Sequence, residues 1–315
     1  MEEIGMAGKV FSGIGGQAVM EGVMMRSKDH YAVAIRLADK TIHIEDKEDD
    51  FGKSPWLKVP IIRGMVSFVY SLVTGITALM TSSTFIEDDE ETKEKRAKMT
   101  GKERKKAENR ELYGTFFLSL VLALVVFFML PFGLSKLFKI WISSNLVLNM
   151  IEGLIRVGLF LGYILLISRM EEIRRVFMYH GAEHKCINCI ENGKDLTVEN
   201  VKQASRLHKR CGTSFIFIVM IISIFVFMFI RMESPVLQLL MRLALVPVVA
   251  GISYEFIRLA GRSENSFVNL LSKPGLALQK ITTQEPTDDM IEVGIASVEA
   301  VFDWRKFQEE HSGEF

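Results

Sequence analysis

The sequence predicts a mainly α-helical, polytopic membrane protein with a small α+β cytoplasmic portion. Apolar residues make up 49% of the 315-residue chain and gather in a few long runs, while the 24% that are charged collect between them. Such segregation is expected where bilayer and water both act as solvent. Lys and Arg together number 38, as do Asp and Glu, so net charge points to no nucleic-acid partner. Cys186, Cys189 and Cys211 are an odd number close together, unlike a disulfide framework, and fit a reducing compartment. No basic segment with an apolar core and cleavage site opens the chain, so no removable signal peptide is expected.

Residues 1–60 read as a cytoplasmic N-terminal segment. Tyr31 to Leu37 and Thr41 to Glu45 alternate around Ala38-Asp39-Lys40, the pattern of a β-hairpin. The glycine-rich stretch before them, Gly13 to Arg26, reads either as a loop packed on the membrane domain or as a polar site to which Glu21 and Arg26 contribute.

Five apolar runs follow. Residues 61–86 contain Arg63, Gly64, Gly75 and several hydroxyl residues, and are weaker than the rest. A charged linker, 87–114, leads to a pair of membrane helices within 115–168. Residues 169–213 form a helical cytoplasmic segment, 214–255 a second membrane pair, and 256–315 a C-terminal segment. At about 1.5 Å per residue each run reaches across about 30 Å of hydrocarbon, the one starting at Ser214 only barely.

Basic residues at Lys93 to Arg110, Arg169, Arg174, Arg175, Arg206, Lys209, Arg210, Arg258 and Arg262 place their loops inside by the positive-inside rule, with both termini cytoplasmic. Parity then makes residues 61–86 a re-entrant, hairpin or interfacial element, the simple alternative being a fifth span. Asp289-Met-Ile-Glu292 resembles a capping box opening an amphipathic helix through Met290, Ile291, Val293, Val298 and Phe302. Within the apolar runs, Glu152 and Arg156 stand four apart and Arg242 is a further intramembrane charge; such groups pair structurally or mark a substrate path.

Chemistry concentrates in Glu171 to Gly193. On a helix, His180 and His184 fall within about 40° of each other and Glu183 flanks the same face. Two imidazoles so placed can hold one ion, with a carboxylate beside it. His180-Gly-Ala-Glu183-His184 also matches the H-x-x-E-H signature, though five residues are a weak signature alone. A second helix from an N-cap at Thr197 to Arg210 would bring His208 and Cys211 onto one face, and a short Asn192-Gly193 loop lets the two helices pack antiparallel. Imidazole and thiolate together suit zinc. Cys186 and Cys189 project away from the histidines and read as small buried hydrophobes.

Gly16 to Arg26, Tyr179 to Lys185, Leu207 to Phe215 and Pro274 to Gln279 together resemble motifs of the YqhQ-like family of bacterial membrane proteins, along nearly the whole chain. That family is a domain of unknown function, sometimes labelled a metal-dependent enzyme. The resemblance points to the same residues: His180, Glu183, His184, His208 and Cys211. Lys209 departs from it where proline is expected, and no further peptidase motif accompanies H-x-x-E-H. Glu255 is a speculative further ligand.

These readings favour a zinc-dependent membrane enzyme, a hydrolase with Glu183 as base, acting on a lipid-linked or membrane-protein substrate. The competing class is a non-enzymatic assembly factor, scaffold or transport component with a structural zinc site. A transporter ranks last, since no internal repeat or interrupted helix pair is found.

Overall fold

The computed structural model describes residues 10–85, 101–230, 232, 234–260 and 265–315. Arg231, Arg262 and the part of the charged run before residue 101 lie outside them. The described residues fall into two compact units, one drawn from residues up to 86, 164–222 and 245–315, the other from 87–163 and 223–244.

The first unit is built on a four-stranded antiparallel meander, β1 Gly15–Val19, β2 Gly22–Arg26, β3 His30–Arg36 and β4 Ile42–Glu48. The expected hairpin is the β3–β4 pair, with Ala34 opposite Ile44. The stretch read as a loop forms β1 and β2 instead, which is a correction. Glycine is unfavourable in strands, but here it allows close approach: a Cβ on Gly22 would lie 2.2 Å from the Ala34 carbonyl oxygen, and one on Gly16 would lie 2.6 Å from that of Met24.

Residues alternate between the sheet's two faces, as a period of two demands. Ala18, Val23, Met25 and Ala34 join the main core. Val19, Met24, Val33 and Ile35 cover the other face, together with Ala78 of α1, Ile62–Ser83. Residues 61–86 therefore hold one unbroken helix rather than a hairpin.

The main core is closed by α5, Glu171–Glu191, and α10, Asp288–Val301. Between α1 and α5 lie α2 Gly101–Leu124, a π-helical turn Val125–Met129, α3 Leu130–Leu137 and α4 Asn145–Ile167. Between α5 and α10 lie α6 Val198–Gln203, α7 Gly212–Phe227, α8 Pro235–Ala260 and α9 Ser266–Thr282, and α11 Trp304–Glu310 follows α10. Two details differ from expectation. The N-cap of α10 is Thr287, which makes no side-chain capping bond, and Glu292 pairs with Arg36 at 2.7 Å instead of closing a capping box. Helix α6 begins at the expected cap, where Thr197 Oγ1 accepts from the Asn200 amide, but it stops at Gln203. The reason is competition for its carbonyls: Asn188 Nδ2 donates to Ser205 O at 2.6 Å and Leu207 O at 3.1 Å, and Lys185 Nζ donates to Lys202 O at 2.9 Å.

Among the described residues, four helical segments are long and apolar enough to cross a membrane: Ile62–Ser83, Gly114–Ile140, Asn145–Ile167 and Val236–Ala260; Gly212–Phe227 is apolar but shorter. In the second unit the intramembrane charges pair with one another. Glu152 accepts from Arg156 at 2.7 Å and from Arg242 Nη1 at 2.5 Å to both oxygens, with Asn149 Oδ1 accepting from Arg242 Nη2 at 2.9 Å. A buried carboxylate shared by two guanidiniums is a structural solution to charges that apolar surroundings would otherwise penalise.

Candidate metal centre

Helix α5 carries the first two candidate ligands. His180 and His184 are one helical turn apart, and their rings stand 4.4 Å centroid to centroid. Each directs Nδ1 at a backbone carbonyl, His180 at Thr282 O at 2.8 Å and His184 at Arg206 O at 2.7 Å. With Nδ1 of both rings donating to a carbonyl, Nε2 of each is the nitrogen that can face an ion, that of His180 once its proton is displaced. Cys211 brings the third donor from another element, Sγ standing 3.2 Å from His180 Nε2. Ligand-capable atoms of His180, His184 and Cys211 all lie within 4.8 Å of one another.

The electrostatics favour ligation. Burial opposes ionisation of the Cys211 thiol, but His180 and His184 outweigh it and hold the group well below its usual range. Cys211 also occupies the N-terminal end of α7, where its Sγ accepts from the Thr213 amide at 3.3 Å, and that end of a helix favours negative charge. Burial likewise opposes the His180 imidazolium, and here the Cys211 sulfur prevails, raising the group to about 9.

Glu183 lies on the same turn as the two histidines and is 4% exposed. Its Oε2 is buried without a hydrogen-bond partner. The Gly16 amide bonds to the carboxylate, and burial raises its pKa in spite of both histidines. Gly16 is glycine for this reason too: a Cβ there would sit 3.0 Å from Glu183 Cγ.

His208 is buried nearby, its ring 5.7 Å from that of His184, but it stands outside the convergent group. Because α6 ends early, His208 and Cys211 do not share a helix face. The Nε2 of His208 faces Glu191 Oε2 at 3.5 Å and accepts from Arg210 Nη2 at 3.2 Å. Burial keeps this imidazole below its ordinary value and hence neutral. Glu191 also takes Arg210 at 2.5 Å and the Ser12 hydroxyl at 2.8 Å. Burial opposes its charge, but His208 and Arg210 prevail and lower it to about 2. The other polar candidates serve elsewhere: Glu21 pairs with Arg175, Arg26 with Asp49 at 2.6 Å, and Glu255 with Arg63. Cys186 and Cys189 are in the main core as free thiols, raised by burial, Cys189 to about 11.

Sequence reasoning missed Gln279. It is fully buried and clamps the backbone of His208, accepting from its amide at 2.9 Å and donating to its carbonyl at 2.8 Å while also donating to Ser214 Oγ at 2.7 Å. The Pro274 to Gln279 motif was the available signal. A cavity of about 350 Å³ lies along the same supports, lined by Ser168, Arg206, Lys280, Ile281, Gln284 and Glu285.

One pair of the donor set matches a zinc site closely. Bonds of about 2.1 Å to nitrogen and about 2.3 Å to sulfur in a tetrahedron require donors roughly 3.5 Å apart, near the 3.2 Å between His180 Nε2 and Cys211 Sγ, and the three donors together lie within 4.8 Å. Two neutral imidazoles and a thiolate match zinc in softness.

A family model described as a protein of unknown function (DUF1385) matches residues 59–304. The chain is 38% identical over 306 residues to the uncharacterized protein YqhQ of Bacillus subtilis (strain 168), covering 92% of each chain. No solved structure matches.

Proposed function

The chain belongs to the DUF1385 family, and from that premise we propose that it is a membrane-embedded, zinc-dependent enzyme, a hydrolase working at the cytoplasmic membrane face. His180, His184 and Cys211 would hold the ion. Zinc in such a set supplies Lewis acidity and a lowered pKa for a bound water.

The observation that carries the proposal is the unpartnered Oε2 of Glu183, buried beside a three-ligand group. A structural zinc closes its tetrahedron with four protein ligands, whereas catalytic sites use three and leave a position open. A carboxylate raised by burial, with a free lone pair, suits a proton acceptor and donor. His208 is held by Glu191 and Arg210, which argues against it as the closing ligand.

The substrate class follows from location. Cys211 immediately precedes the apolar helix α7, so the group being attacked would be presented near the bilayer surface, as in a lipid-linked molecule or a membrane protein. In the cavity that Arg206 also lines, Arg206 is paired with Glu285, which leaves Lys280 as the cation to meet an anionic portion.

Elemental analysis of the purified protein tests the ion, with about one zinc per chain expected and its loss in His184→Ala. Complementation of a deletion strain by Glu183→Gln tests the reaction. A variant that keeps zinc and complements fully would leave only a structural zinc site, in an assembly factor, scaffold or transport component.

A further inference from the structure

Helix α1 passes for a membrane span by length and hydropathy, yet only its first half meets another such helix, Gly64 lying against Gly251 and Tyr254 of α8, while its second half lies on the sheet. Its small and polar face, Ser67, Thr74, Gly75, Ala78 and Ser82, is buried. Ala78 packs into the second face of the sheet. Gln17 of β1 donates to Gly75 O at 3.4 Å, Ser82 Oγ accepts from the Met20 amide at 3.2 Å, and Tyr70 donates to Asp49 at 2.6 Å. Tyr70 lies close to the midpoint of the helix, so the sheet is attached along the half that follows.

Were α1 to cross, its middle would carry Asp49, Arg26 and the charged strand β4 to the bilayer centre. Charges are strongly penalised at that depth. The sheet would also bring open edges, whose backbone groups find no partner in hydrocarbon. The opposite face of α1 has the inverse character: Val69, Leu72 and Val73 are 55%, 51% and 57% exposed. Water does not suit that stripe, and lipid does.

Parity leads to the same place. One core joins residues from β1 to β3, from α5 and α6, and from α10 and α11. These three segments must lie on one side of the membrane, so an even number of crossings separates each from the next. Among the described residues, three helical segments long enough to cross stand between β3 and α5, α1 among them, so at least one of the three does not cross. Between α6 and α10 stand Val236–Ala260 and the shorter apolar helix Gly212–Phe227, which by the same parity either both cross or both stay on one side.

We infer that α1 is a monotopic helix lying along the cytoplasmic-side bilayer surface, its Val69, Leu72 and Val73 stripe immersed at the headgroup and acyl boundary. Trp56, six residues before the helix and 58% exposed, suits the aromatic anchor such a surface uses. Attachment would hold the sheet, and with it Gly16 against Glu183, at the membrane. The inference is independent of whether any metal is bound.

Two tags on the full chain in sealed inside-out vesicles test it, one at the N-terminus and one inserted within residues 86–100. Both are expected to be cleaved by added protease. Cleavage of one with protection of the other overturns the inference. Spin labels on Val69→Cys and Met80→Cys in proteoliposomes give a second readout, the three native thiols being buried. A crossing helix separates these positions in depth by up to about 16 Å; equal depth within a few ångströms is expected, and a separation near the full value overturns it. If a labelled variant does not fold, the tagged chain still decides.

Discussion

His184 Nδ1 and the carbonyl oxygen of Arg206 stand 2.7 Å apart. This bond ties a ligand on α5 to the irregular backbone leading to Cys211, twenty-two residues farther along at Arg206. It leaves Nε2 of His184 as the nitrogen available for an ion. Supports of this type typically contribute 10–100-fold to metal affinity.

Asn188 is the side chain through which that support can be tested. It holds the carbonyls of Ser205 and Leu207, so Asn188→Ala is expected to weaken zinc binding about 10–100-fold and to lower stability by about 1–3 kcal/mol. Chelator competition and thermal unfolding in detergent measure the two effects. Unchanged zinc affinity would remove the loop from any role in ligation.

Glu183→Gln keeps the shape of the side chain and an oxygen for the Gly16 amide. Zinc content is expected to stay at the wild-type level while the enzymatic phenotype disappears. Loss of zinc in this variant would make Glu183 a ligand instead of a base.

Zinc binding is expected to strengthen with pH. In the ion-free protein His180 keeps its proton up to about 9, because the Cys211 sulfur outweighs the effect of burial, and the ion must displace that proton. Affinity should rise by up to about tenfold per pH unit from neutrality and flatten near pH 9. Calorimetric titrations in buffers of different ionisation enthalpy count the protons released, and none released would contradict the assignment.

Glu191 links acid stability to the segment bearing His208 and Arg210. Its folded pKa is about 2 against an ordinary 4.5. The corresponding stability is present above about pH 4.5 and is lost as pH falls toward 2, on the order of 3 kcal/mol in full. Glu191→Gln should flatten this part of the pH–stability curve; an unaltered curve would show that the pairing contributes nothing.

Gly181 has no room for a side chain, since a Cβ would lie 2.0 Å from the Gln284 carbonyl oxygen. Gly181→Ala must push away the segment whose Thr282 carbonyl holds His180. We expect a loss of about 1–3 kcal/mol or more and reduced zinc content in the protein that still folds, read by unfolding and elemental analysis. Wild-type values for both would mean that the segment moves without disturbing His180.

Much of this was legible in the chain itself. The apolar runs marked helices long and apolar enough to cross a membrane because hydropathy is summed locally, and the spacing of four between His180 and His184 gave a shared face because α5 is a regular helix. Strands β1 and β2 were not legible, since their glycines weaken the local strand signal, and the close approach that calls for them appears only when Ala34, Met24 and Glu183 are in place.

What the sequence by itself determined, then, was which residue types are available and which stretches favour lipid. Tertiary structure decided which donors meet. Cys211 joins the histidines and His208 turns to Glu191 because α6 ends at Gln203, an ending imposed by Asn188, and because Gln279 grips the backbone seventy-one residues away. Hydrogen bonds between distant residues redirect the chain there, and no local periodicity encodes them.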